Sequence, residues 1–185
     1  QLNAPRLNQY EFVGELALTG ALRGVPGAIS SAMEAIRAGR KIIVSHENSP
    51  EVGLIGGSDC LIAAHLQEVC AFLEGKNPLN HPIPEAESSD ESSLDLREVI
   101  GQQQGKRALE IIAAGGHNLL MIGPPGTGKT MLASRLPGLL PPLSNQEALE
   151  SAAILSLVNS SYAMKNWRRR PFRAPHHSAS LAAMV

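Results

Sequence analysis

Residues 123–130 read GPPGTGKT, and Gly123, Gly126, Gly128, Lys129 and Thr130 fill the pattern G-x-x-x-x-G-K-[ST]. The chemistry these residue types support is phosphate binding. Glycine lets the backbone curl so that successive N–H groups point inward as a concave anion site, with Pro124, Pro125 and Thr127 inside the same turn. A helix beginning directly after the loop adds the partial positive charge of its N-terminus. Lys129 is expected to reach the β- and γ-phosphates as a point charge, and Thr130 to offer its hydroxyl to Mg²⁺. The plain alternative is a Gly-Pro turn joining a strand to a helix.

Hydrolysis asks for more. In loop-type NTPases a carboxylate at the end of a neighbouring strand helps to hold Mg²⁺. After Thr130 the acids are Glu147 and Glu150, both within a predicted helix, and every Asp (Asp59, Asp90, Asp95) precedes the loop. No apolar run ends in Asp-Glu. These residues are therefore expected to bind a nucleoside triphosphate and to hydrolyse it poorly, with no catalytic residue of their own.

The loop needs elements to hold it. NLLMIG (118–123) reads as a short apolar strand running into the glycines, and TMLASRL (130–136) resumes helical spacing. Before them, 101–116 is predicted helical with Ala108, Ile111 and Ile112 on one face. Ser144 and Glu147 have the spacing of a capping box, opening a helix to about Val158. The remainder reads as a basic loop. Nearer the N-terminus, 11–25 alternates as a hairpin or as consecutive strands around Thr19-Gly20. Ile29, Ala32, Met33 and Ile36 then take helical spacing up to Gly39. KIIVS (41–45) and CLIAA (60–64) read as strands and 65–75 as a helix, an α/β pattern of small units without internal repeat.

Charge divides the chain. Residues 1–73 carry 5 basic and 7 acidic side chains, 74–98 carry 2 and 7, and 99–185 carry 9 and 3. The C-terminal part thus suits polyanions. The stretch from 76 to about 95 is rich in Pro, Ser and acid, and reads as a linker with a mobile middle. Boundaries follow at 1–75, 76–94 and 95–185. Cys60 and Cys70 form no CxxC, which suits a reduced, cytoplasmic setting, and no apolar run reaches membrane-spanning length. The first residue is Gln and the last Val, so a fragment is expected.

Four segments resemble the magnesium-chelatase-like AAA+ ATPases of the YifB/ComM (competence protein) type: EFVGELALTGALRGVPG (11–27), DLREVIGQQQGKRALEIIAAGGHNLLMIGPPGTGKTMLA (95–133), RLPGLLPPLS (135–144) and RPFRAPHHSAS (170–180). The resemblance implies an α/β fold: the second half of a Lon-protease-like domain, then the N-terminal part of a P-loop AAA+ domain, without its later Mg²⁺-holding (Walker B) acids. It implies ATP and Mg²⁺ as ligands, a homo-oligomeric ring (a hexamer) in the intact protein, and no membrane partner. Val99, Ile100 and Gly101 match the segment that lines the family's adenine pocket, the alternative being a plain strand-to-helix junction. Gln102 is read only as starting the helix.

The resemblance also sets rivals against one another. Relatives of the competence type imply a DNA-translocating helicase or branch-migration motor serving transformation and recombination. Arg168, Arg169, Arg170 and Arg173, beside Trp167, Phe172, His176 and His177, could then grip a phosphate backbone and stack on bases. A solvated basic loop, or one that contacts a neighbouring subunit, is the alternative. Other readings are a metal-insertion motor subunit and a non-hydrolysing, nucleotide-dependent interaction module. Protease activity is not expected, because Ile29 stands where Lon-type enzymes have their lysine.

Overall fold

A computed structural model describes residues 7–85, 94–158, 160–175 and 178–179. In chain order its elements are β1 (Tyr10–Val13), β2 (Glu15–Leu16), β3 (Leu22–Arg23), α1 (Ala28–Arg37), β4 (Lys41–Ser45), α2 (Ser49–Val52), β5 (Cys60–Ala63) and α3 (Leu66–Leu73). There follow α4 (Gln103–Gly115), α5 (Lys129–Ala133), α6 (Leu136–Leu139), α7 (Asn145–Ser156) and α8 (Ser160–Lys165). The chain forms two compact units, 1–89 with 144–167, and 90–143 with 168–185.

In the first unit β1, β4 and β5 make a parallel sheet in the order β1-β4-β5, while β2 and β3 pair antiparallel beside it. The apolar runs of β4 and β5 are continuous because both sheet faces are covered. Ile42, Val44, Cys60 and Ile62 turn to one face and pack with Ala28, Ala32 and Ala35 of α1. Ile43, Leu61 and Ala63 turn to the other, against Val69 and Leu73 of α3. The region 11–25 thus supplies one strand to the parallel sheet and a separate short hairpin, whose turn residue Gly20 has φ 89. Ile29 is fully buried with Ala152 and Ala163.

The structure differs from the sequence reading at several places. The segment 159–180 contains a helix, α8, where a loop was expected. α7 carries the capping box predicted at Ser144 and Glu147, yet it groups with the N-terminal unit and not with 95–143, since Leu149, Ala152 and Ala153 cluster with Ile29 and Met33. Residues 80–83, read as linker, are tied to the first unit: Ile62 N–H donates to Asn80 O (2.9 Å), and Ile83 N–H to Ser49 Oγ (2.9 Å). Residues 86–93, in the middle of the expected linker, lie outside the described residues.

The second unit is small. Leu96, Val99, Leu109, Ile112 and Leu132 form its core, with Met121, Leu136 and Leu139 at the margin. The buried face of α4 is therefore Leu109 and Ile112; Ala108 is half-buried and Ile111 exposed, a rotation of the predicted face. Gly105 lets α4 approach α5, since a Cβ there would lie 2.7 Å from Leu132 Cδ1. The predicted strand at 118–123 is not formed. Leu120 and Ile122 are 81% and 88% exposed, and among the described residues no strand pairs with this segment. A strand is held by the ladder it joins, so apolar sequence alone does not make one.

Candidate nucleotide-binding site

Residues 123–130 turn from this extended segment into α5. Gly126 (φ 81) and Gly128 (φ 82) adopt the left-handed conformation that side chains resist, the curl the sequence pattern requires. Thr127 Oγ1 donates to Pro124 O (2.9 Å) and closes the loop from within. Lys129 lies across it: Nζ donates to Gly123 O (2.8 Å), Pro124 O (2.7 Å) and Thr127 Oγ1 (3.3 Å). Every one of those partners is neutral. No carboxylate compensates this ammonium among the described residues, so the loop carries a net positive charge that fits a polyphosphate. Thr130 is exposed at the start of α5.

The segment 99–102 stands beside the loop. Val99 is buried in the core, Ile100 is 96% exposed, and Gly101 has φ 72 with open space where a Cβ would be. Gln102 does more than start a helix. It holds a left-handed φ of 55, rare for a side-chain-bearing residue, and its Nε2 donates to Thr127 O at 3.1 Å. Arg135, just after α5, is a second tie the sequence reading missed. Its side chain is 12% exposed; Nε donates to Asp95 O (3.0 Å), Nη1 to Met131 O (2.8 Å) and Nη2 to Glu98 Oε2 (3.1 Å). No periodic signal announces a pairing 37 residues apart in sequence.

Several of the remaining candidates are engaged elsewhere. Glu147 caps α7, its Oε2 accepting from Ser144 N–H (2.8 Å), and Glu150 accepts from Gln146 (3.2 Å). Among the described residues no group of three His, Cys, Asp or Glu could hold a metal. Arg168 Nε donates to Leu143 O (3.0 Å), Leu143 N–H to Arg168 O (3.0 Å), and Arg170 Nε to Pro141 O (2.8 Å), which fastens the start of the basic stretch to 141–143. Arg169 is half-buried and Arg173 exposed. His176 and His177 lie outside the described residues. Displaced titrations occur in the first unit, where burial raises Glu51 above its usual 4.5 and pushes the Cys60 thiol up to about 11.

The glycine curl at Gly126 and Gly128, with Lys129 laid across it, has the form that the sequence pattern G-x-x-x-x-G-K-[ST] calls for. The comparisons identify a family. The family model described as "Magnesium chelatase, subunit ChlI" matches residues 95–185, and "Subunit ChlI of Mg-chelatase" matches 1–48. The chain belongs to this magnesium-chelatase-like family. It is 72% identical over 185 residues to the uncharacterized protein YifB of Escherichia coli, and 50% identical over 190 residues to competence protein ComM of Haemophilus influenzae; both alignments take in 100% of this chain and 37% of the relative. An uncharacterized protein of Mycobacterium tuberculosis is 43% identical over 182 residues, 97% of this chain and 36% of that protein. The chain thus spans little more than a third of these relatives. Among the described residues no helix is long and apolar enough to cross a membrane.

Proposed function

We propose that this chain is the ATP-holding portion of an AAA+ ring ATPase, in which residues 123–130 cradle the phosphates and Val99, Ile100 and Gly101 border the base. The observation that carries the reading is Lys129, seated on neutral atoms of its own loop with no carboxylate to neutralise it among the described residues. Bound ATP would supply stronger acceptors, drawing Nζ from the carbonyls of Gly123 and Pro124. Mg²⁺ would arrive with the phosphates, Thr130 giving it one oxygen, and would screen their charge. The parallel sheet and the family membership support an α/β nucleotide-binding protein. By sequence likeness we assign 1–75 to a partial Lon-like domain, 76–94 to a linker and 95–185 to the start of the AAA+ module, although 80–83 and α7 pack with the first compact unit in this fold. Hydrolysis requires a carboxylate these residues do not provide, because Glu147 and Glu150 serve α7.

For the whole protein the reading is a cytoplasmic, DNA-translocating motor that assembles as a homo-oligomeric ring. Its support is the likeness to a protein named for competence, together with the basic balance of 99–185. The test is ATP turnover by the full-length protein with and without single-stranded and branched DNA. Stimulation by DNA, lost in Arg169→Ala/Arg173→Ala, is expected. Turnover indifferent to DNA would remove the motor reading and leave the nucleotide site standing.

A further inference from the structure

We infer that Gln102 is a positioning residue that sets the phosphate loop for its ligand, an inference that rests on the nucleotide reading of 123–130. The Gln102 amide reaches across from the start of α4 and donates to the carbonyl of Thr127. The peptide joining Thr127 to Gly128 is trans, as are all peptide bonds described, so its C=O and N–H point to opposite sides. Holding the Thr127 carbonyl on Gln102 therefore aims the Gly128 N–H away from α4. That N–H belongs to the peptide that leads into Gly128, the N-cap of α5. Without the tie, this peptide can flip at little cost, because Gly128 tolerates either sign of φ.

The backbone at Gln102 supports a role beyond helix capping. A left-handed conformation is costly for a side-chain-bearing residue, and Gln102 and Arg168 are the only such residues described. Gln102 does not use its side chain to cap α4; its amide goes to the loop, 25 residues away. The amide lies between two glycines, with Gln102 Nε2 3.9 Å from where a Cβ of Gly128 would lie, and Gln102 Oε1 3.9 Å from that of Gly105. A residue kept in a costly conformation while its side chain serves a separate loop is placed for that loop.

The test is displacement of a fluorescent ATP analogue by ATP and by AMP, in the presence of Mg²⁺, from the wild type, Gln102→Gly and Gln102→Asn. Gly removes the amide and relieves the backbone; Asn keeps the amide and tolerates the same φ but is one methylene short. Both variants should bind ATP roughly threefold to tenfold more weakly, the range one hydrogen bond gives. AMP, which lacks the β- and γ-phosphates, should bind within about twofold of wild type on the same argument, with melting temperature unchanged or raised in Gln102→Gly. Equal ATP affinity across the three proteins would overturn the inference while leaving the nucleotide site intact. A parallel loss for ATP and AMP would also overturn it, marking a general structural role. Failure of the wild type to bind the analogue would overturn the nucleotide reading and this inference with it.

Discussion

Replacing Glu51 by Gln should change how the stability of the first unit depends on pH. The Glu51 side chain sits on α2, 2% exposed; one carboxyl oxygen accepts from Asn48 Nδ2 at 2.5 Å, and the other, Oε2, has no hydrogen-bond partner among the described residues. Burial disfavours the ionised form and raises the carboxyl above 4.5, outweighing the hydrogen bond from Asn48, which acts in the opposite direction. The folded protein therefore keeps this proton to a higher pH than the unfolded chain does. Above pH 4.5 the unfolded chain releases a proton that the native state retains, so native stability declines as pH rises until the folded carboxyl also ionises. One pH unit inside that window is worth about 1.4 kcal/mol. Gln cannot ionise, so any cost of its extra N–H donors is constant with pH. The stability of Glu51→Gln relative to wild type should thus climb by about 1.4 kcal/mol per pH unit above 4.5 and then level off. Urea unfolding followed by fluorescence reads this directly, because the single tryptophan, Trp167, packs in the same unit against the cluster of Ile29, Ala152 and Ala163. A stability difference that stays flat from pH 4 to pH 8 would refute the argument.

Two further predictions concern a thiol and a clamp. Cys60 is buried with its thiol raised from 9.0 to about 11, by burial first and by Asp59 second, so at pH 8 its thiolate should be about a hundredfold scarcer than an ordinary cysteine's; an alkylating reagent followed by mass spectrometry should label half-buried Cys70 first and reach Cys60 only on unfolding. Arg135→Ala should remove three hydrogen bonds from a mostly buried guanidinium, costing roughly 2–3 kcal/mol after allowing for the exposure of Glu98. Amide exchange in 96–115 should then accelerate about thirtyfold or more, and an effect below about threefold would mean the clamp contributes little.

Much of the fold was legible because it follows local rules. β4 and β5 appear as continuous apolar runs, α1 and α3 as periodic segments stopped by Gly39 and Gly75, and the start of α7 as a capping box. What failed depended on partners. The segment 118–123 has strand composition but no ladder to join, and α7 packs on α1 because of contacts made far away in sequence. The loop itself was legible, since its glycines and lysine carry their geometry in their types. Its supports were not. The amide of Gln102 and the guanidinium of Arg135 act across 25 and 37 residues, distances that no spacing rule covers.

The most direct test of the nucleotide reading is calorimetric titration of these 185 residues with ATP and Mg²⁺, beside Lys129→Ala. Saturable one-site binding is expected, weakened roughly ten- to hundredfold when the charged hydrogen bonds of Lys129 are lost. No heat of binding in the wild type, or equal affinity in the variant, would contradict the assignment of 123–130 as the phosphate site.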